Sequence, residues 1–207
     1  QVIRLIDEKG MLTEALKADI LNAEKLVEVE DLYRPFKEKK KTKATEAIQK
    51  GLEPLATFLM LFSKEDPKEE AKKYITEDVK SVDEALEGAK YIIAEMISDD
   101  ANYRKSLREQ MMQSGTIITQ LKKNAEDPKK TYEMYYAYSE SVSKVKPHRV
   151  LAINRAEKEK VISVKIELEK SMMTSYLERQ LIKQENVPAT TYIKEAIEDS
   201  LKRLIFP

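Results

Sequence analysis

Behind Ser81-Val82-Asp83-Glu84 the residues Leu86, Ala89, Ile93 and Met96, with Ile97 beside it, recur at spacings of three and four. No other feature constrains the fold of this chain as much. At 3.6 residues per turn these side chains share one helical face. The preceding tetrapeptide supplies a start: a serine hydroxyl can accept from the amide three residues on, while the glutamate reaches back. The spacing predicts a helix over 82–97 whose apolar face must be covered by other elements.

The same period organises much of the remaining chain. Leu12, Leu16, Ile20, Ala23 and Val27 make a second helical face, interrupted at Tyr33-Arg34-Pro35-Phe36, where the proline disfavours helical geometry at the residue before it. Further helices are predicted over 45–50, stopping at Gly51, over 54–62, with Pro54 in the first turn, and over the short stretch 67–74. Another runs from Asp99 or Asp100 to Ser114. Two more, over 170–184 and 189–205, are separated by Asn186-Val187-Pro188. After Gly115 the character changes. Thr116-Ile117-Ile118-Thr119 is β-branched and suits a short strand. Val150–Asn154 and Val161–Ile166 are the best strand candidates, and alternation in the second predicts a half-buried hairpin around the charged stretch 155–160. The expected fold is mainly α, a multi-helical array with a small antiparallel β-hairpin near residues 150–168. Its expected organisation is a helical region over 1–127 with a basic loop at 34–43, a tyrosine-rich segment and hairpin over 128–169, and helices over 170–207 that pack back on the first region.

Lysine plus arginine equals aspartate plus glutamate at 37 each, so the net charge is zero and a basic footprint over the whole molecule is excluded. Any contact with nucleic acid has to be local. Charged residues make up 36% of the chain and glycine only 4 positions, a balance suited to helices with solvated outer faces. The lack of cysteine removes disulfide and thiol chemistry and fits a reducing cytoplasm, the expected location. No apolar run approaches the roughly 20 residues of a membrane span, so no membrane partner is expected. The chain begins inside an amphipathic pattern without an initiator Met and stops as a helical repeat finishes, so it reads as a piece of a longer protein.

Catalysis finds little support. The one histidine, His148, has no second ligand or nucleophile at a useful spacing and reads as a capping or packing residue. The glycines stand alone, and the carboxylates are interleaved with lysines as solvated surface pairs. Neither enzyme activity nor a metal or other cofactor is expected. The most useful chemical feature is the run from Arg34 to Lys43. There Arg34, Lys37, Lys39, Lys40, Lys41 and Lys43 set six positive charges against Glu38. Such groups can neutralise phosphates without reading bases. On the residues alone, a solvated basic loop between helices is the readier account, since short charge runs are common. Tyr132, Tyr135, Tyr136 and Tyr138 could offer stacking surfaces to single-stranded bases, although packing in a small core is the commoner use. The pairs Met111–Met112 and Met172–Met173 read as core fillers.

Three stretches carry a resemblance. They are Glu30-Asp31-Leu32-Tyr33-Arg34-Pro35-Phe36-Lys37, then Lys40-Lys41-Thr42-Lys43-Ala44, then Lys50-Gly51-Leu52-Glu53-Pro54-Leu55-Ala56. Together they closely resemble the Tex family of bacterial transcription accessory proteins. The resemblance continues through Leu86–Glu95, Tyr138-Ser139-Glu140, His148–Arg155 and Glu157-Lys158-Glu159, in the family's order. It implies an elongated, mostly helical parent carrying RNase-H-like, helix-hairpin-helix and S1 domains, with nucleic-acid binding attributed chiefly to S1. None of those domains matches residues here. The implied role is therefore an architectural segment of a nucleic-acid-binding transcription accessory protein, with the basic loop adding a sequence-independent phosphate contact. The competing expectation is a docking module for the transcription machinery without nucleic-acid contact. One departure stands out: Ala156 occupies a place where the family often has glycine, which implies a looser turn there.

Overall fold

The computed structural model describes residues 1–206 and divides them into two compact units. The first comprises Gln1–Lys105 together with the chain from Thr174 onward; the second is Ser106–Met173. The chain passes between them twice, once within α8 (Ala101–Ser114) and once within α10 (Lys170–Leu181).

In the first unit α1 (Val2–Asp7), α2 (Glu14–Asn22) and α3 (Leu26–Tyr33) precede a 3-10 turn at Arg34–Phe36. Where the spacing from Leu12 to Val27 predicts one continuous face, the backbone is extended at Ala23 and Lys25, and two shorter helices result. α4 (Lys43–Gln49) is capped by Thr42 and ends at Gly51, whose φ of +78° is open to glycine at no steric cost. α5 (Glu53–Met60) and α6 (Pro67–Ala71) both carry proline in the first turn, where its missing N–H is no loss.

α7 (Val82–Asp99) is the centre of this unit; α4, α5, α6 and α11 (Ala189–Asp199) all pack on it, as does the π-helical turn Ser200–Ile205 that follows α11. Ser81 Oγ accepts from the Glu84 amide at 3.1 Å, as its spacing predicts, whereas the Glu84 carboxylate takes the Lys80 amide at 3.0 Å. Leu86, Ala89, Ile93 and Ile97 are buried, as are Leu55 and Leu59 of α5 and Ile193 and Ile197 of α11, the helices that pack on α7, although Met96 stays 56% exposed. Each fully buried Leu or Ile contributes about 1.5–3 kcal/mol relative to exposure. Gly88 sets the approach of α4: a Cβ there would meet Leu52 Cδ1 at 2.4 Å and Ala47 Cβ at 3.3 Å.

The second unit is built on a three-stranded antiparallel sheet of β1 (Thr116–Leu121), β2 (Ala137–Ser141) and β3 (Ile162–Glu167), in the order β2-β1-β3. Thr119 faces Tyr138 on one side and Val164 on the other, and Leu121 pairs with Ile162. Residues 150–154, the first half of the predicted hairpin, belong instead to α9 (Pro147–Lys158), and β3 pairs with β1. Proline opens α9, and Val150, Ile153 and Ala156 recur at three-residue spacing; this helical face outweighs the local β-branched character. The looser turn expected at Ala156 is likewise absent: Ala156 is fully buried inside α9, and the positive φ falls on Lys160, at +62°.

Ile117, Tyr132, Tyr135, Ile153, Ala156, Val161 and Ile162 form this unit's core, so the tyrosines pack. The rings of Tyr135 and Tyr138 meet edge to face with centroids 5.3 Å apart. Asp127 closes the long β1–β2 connection by accepting from the Thr131 and Tyr132 amides and the Tyr136 hydroxyl. Burial pushes its pKa up, but those hydrogen bonds outweigh burial and hold the carboxyl below its ordinary value.

Candidate functional site

The six cations of the basic run do not form one solvent-facing cluster. The 3-10 turn at Arg34–Phe36 and the extended residues up to the Thr42 cap lay this segment across the C-terminal part of α7. There Glu95 and Asp99, one helical turn apart, present two carboxylates on the same side. Arg34 Nε donates to Asp99 Oδ1 at 3.1 Å. Lys39 Nζ donates to Asp99 Oδ2 and pairs with Glu95 at 3.1 Å. The side chain of Arg34 is 40% exposed and its tie is the weaker one, while those of Glu95 and Asp99 are 14% and 12% exposed and that of Lys39 24%. Charges this far from water hold one another more firmly than surface pairs do. Arg104 reinforces the region by donating to Asp31 at 2.7 Å and to the Ser98 carbonyl at 3.2 Å. Lys9 Nζ ties the 3-10 turn to α1 by donating to the Phe36 carbonyl at 2.7 Å.

The remaining cations differ in kind. Lys41 pairs with Glu46 at 3.2 Å, both side chains being well exposed, which makes the pair weak. Lys43 donates to the Tyr91 hydroxyl at 3.1 Å and lies 4.4 Å from the ring centroid, while the Arg203 guanidinium lies 5.3 Å from the same ring. Lys37 and Lys40 are exposed and make no ion pair among the described residues. Of the six predicted contacts, then, Arg34 and Lys39 are internal ties, Lys43 is a stacking cation, and Lys37, Lys40 and Lys41 face solvent.

Glu95, Asp99 and Tyr91 are the residues that sequence reasoning missed. The i,i+4 acid pair at the end of the strongest helix was the available signal. Beside Tyr91, between α4 and α7, lies an open groove of about 290 Å³. Lys43 and Lys50 line it together with Glu46, Glu84 and Glu87, so carboxylates outnumber ammonium groups and the groove is a poor place for a phosphate. Its Lys50 donates to Glu84 at 2.8 Å, and that bond raises the Lys50 pKa while lowering that of Glu84. Lys90, whose charge burial disfavours, has its pKa raised all the same by hydrogen bonds to Glu195 and Glu87, linking α7 to α11. Among the described residues no group of three or more His, Asp or Glu side chains could hold a metal ion. No described helix is long and apolar enough to cross a membrane.

Comparison with known proteins places the chain in a family. Residues 63–206 match the family model described as Tex central region-like. The chain is 49% identical over 211 residues to the uncharacterized protein YdcI of Bacillus subtilis, covering all of this chain and 29% of that protein. It is 33% identical over 163 residues to the transcriptional accessory protein Tex of Neisseria gonorrhoeae, covering 79% of this chain and 22% of that protein. It is also 30% identical over 223 residues to the human S1 RNA-binding domain-containing protein 1, covering 99% of this chain and 22% of that protein. The chain thus spans less than a third of the length of these relatives. On the span of the family match and these identities, the chain belongs to the Tex family, and residues 63–206 correspond to its central region.

Proposed function

We propose that this chain is an architectural segment of a nucleic-acid-associated transcription accessory protein, and that its basic loop adds a sequence-independent phosphate contact. The names of the Neisseria and human relatives support the coarse reading, one being a transcriptional accessory protein and the other containing an S1 RNA-binding domain. The single observation that carries the finer reading is the anchoring of Arg34 and Lys39 on Glu95 and Asp99. With Arg34 and Lys39 tied to α7 and Thr42 capping α4, the backbone carrying Lys37 and Lys40 is restrained on both sides of each, so little ordering entropy opposes a phosphate contact. Lys41 and Lys43 flank them and add to the local potential.

The test is binding of the 207-residue chain to labelled single-stranded RNA and duplex DNA across a salt series, beside Lys37→Ala/Lys40→Ala. The expected result is a salt slope smaller by up to about 2 phosphate contacts in the variant. A slope that does not change would remove the loop contact and leave the scaffold role.

A second reading, docking on another protein of the transcription machinery, draws on Leu21 and Leu26, 67% and 75% exposed around the α2–α3 break. Leu21→Ser/Leu26→Ser would then abolish capture of the partner while leaving nucleic-acid binding intact.

A further inference from the structure

The zero net charge conceals a division. Residues 106–173 carry 13 Lys and Arg against 9 Asp and Glu, a net of +4, while the first unit carries 24 against 28, a net of −4. Part of the excess in the second unit lies at one end of its sheet. Leu121 and Ile162 are register partners, so the chain leaving β1 and the chain entering β3 emerge side by side, and the Lys122 amide donates to the Val161 carbonyl at 2.9 Å. The end of α9 closes onto the same place through the Lys160 amide on the Glu157 carbonyl and the Val161 amide on the Ala156 carbonyl, each at 2.9 Å. Lys122, Lys123, Lys158 and Lys160 therefore all lie within three residues of one backbone hydrogen bond. All four are exposed, and none has an ion-pair partner among the described residues. Arg155 is exposed nearby. Three exposed acids, Glu126, Glu157 and Glu159, lie beside these five cations, so the end of the sheet keeps an excess of positive charge.

We propose that this end of the sheet, carried by Lys122, Lys123, Lys158 and Lys160, binds the phosphate backbone of a nucleic-acid duplex. Stabilisation of the α9 C-terminus accounts for Lys158 and Lys160, since cations there oppose the helix dipole, but not for Lys122 and Lys123, which lie outside the helix. A duplex fits better than a single strand because the aromatic rings are withheld. Tyr132 and Tyr135 are buried, and Tyr136 and Tyr138 are half-buried against the same core. With little ring surface to stack on, base unstacking gains little, and the fixed phosphate array of a duplex matches lysines mounted on a sheet end. The inference rests on the reading of the chain as part of a nucleic-acid-associated protein, but it uses residues distant in sequence from the 34–43 loop.

The experiment is anisotropy of a labelled 20-base-pair duplex with the 207-residue chain between 50 and 200 mM salt, using a matching single strand and polyglutamate as competitors. Four neutralised phosphates weaken binding by roughly 100-fold over that range. Lys122→Ala/Lys123→Ala/Lys158→Ala/Lys160→Asn, with asparagine chosen for the positive φ at 160, should lose most of that dependence, while four Lys→Arg changes should retain it. If the fourfold variant unfolds by circular dichroism, Lys122→Gln/Lys123→Gln alone leaves α9 untouched and should lower the slope by about 2. The proposal is overturned by a fourfold variant with the slope of the parent, by no duplex binding at 50 mM, or by displacement as efficient with polyglutamate or with the single strand as with unlabelled duplex. Loss of slope only in Lys37→Ala/Lys40→Ala would sink this surface and keep the loop contact; loss only in the fourfold variant would do the reverse.

Discussion

Lys39 is the residue at which local chemistry and tertiary structure part company. In sequence it is one of six equivalent cations; in the fold it is the one held by two carboxylates, 56 and 60 positions further along the chain. A phosphate could reach its ammonium only by displacing Asp99 and Glu95. Lys39→Ala should therefore act on stability, leaving two partly buried acids short of a partner, at a cost of about 1–3 kcal/mol. It should hardly alter the salt dependence of nucleic-acid binding. Asp99→Asn tests the same bond from the other side, since it lowers stability while freeing Arg34 and part of the Lys39 charge, so affinity for a polyanion should rise. Urea midpoints and anisotropy on the same two variants separate the effects. A Lys39→Ala protein of unchanged midpoint and weakened binding would place Lys39 back among the phosphate contacts. The basic run was legible in sequence because charge is local. Its division into ties and free lysines was not, because that division depends on where the end of α7 comes to lie.

At the scale of elements the instructive case is α9. Val150-Leu151-Ala152-Ile153 has the side chains of a strand, and a strand would put Leu151 and Ile153 on the same face. In the helix they part: Leu151 is 70% exposed and Ile153 is 2% exposed. Ile153→Ala should cost about 2–4 kcal/mol, whereas Leu151→Ala should be nearly neutral, read as shifts in denaturation midpoint. Equal losses at the two positions would restore the strand. Elements with a long period were readable: α7, α8 and α11 follow from repeated apolar spacing, and Pro54 and Pro67 mark helix starts by removing a donor that has no partner there. Short elements were harder, because four or five residues do not discriminate a period of 2 from one of 3.6. β1, read from Thr116-Ile117-Ile118-Thr119 alone, is a strand as expected, but its partners β2 and β3 lie 15 or more positions downstream and no local pattern names them.

Across the whole molecule, a sequence pI of about 6.9 and zero net charge would ordinarily mean only a weak long-range field. A net of −4 on one unit and +4 on the other changes that expectation, because the second unit of one copy and the first unit of another attract while neither repels itself strongly. The Debye length falls from about 30 Å at 0.01 M salt to about 10 Å at 0.1 M, so this attraction should be strong at low salt and largely screened near physiological ionic strength. Static light scattering at pH 7 should then give net attraction at 0.01 M that fades by 0.15 M. The fourfold lysine variant brings the second unit to zero and the chain to −4, and it should repel under the same conditions. A variant that still self-associates would shift the cause to the exposed Leu21 and Leu26, whose attraction does not weaken with added salt. The distinction bears on the phosphate surface itself. Lysines that draw another copy of the chain at low salt are the same lysines offered to a duplex, so the two processes compete. Duplex affinity measured at 0.01 M should fall as protein concentration rises, and at 0.1 M it should become independent of it.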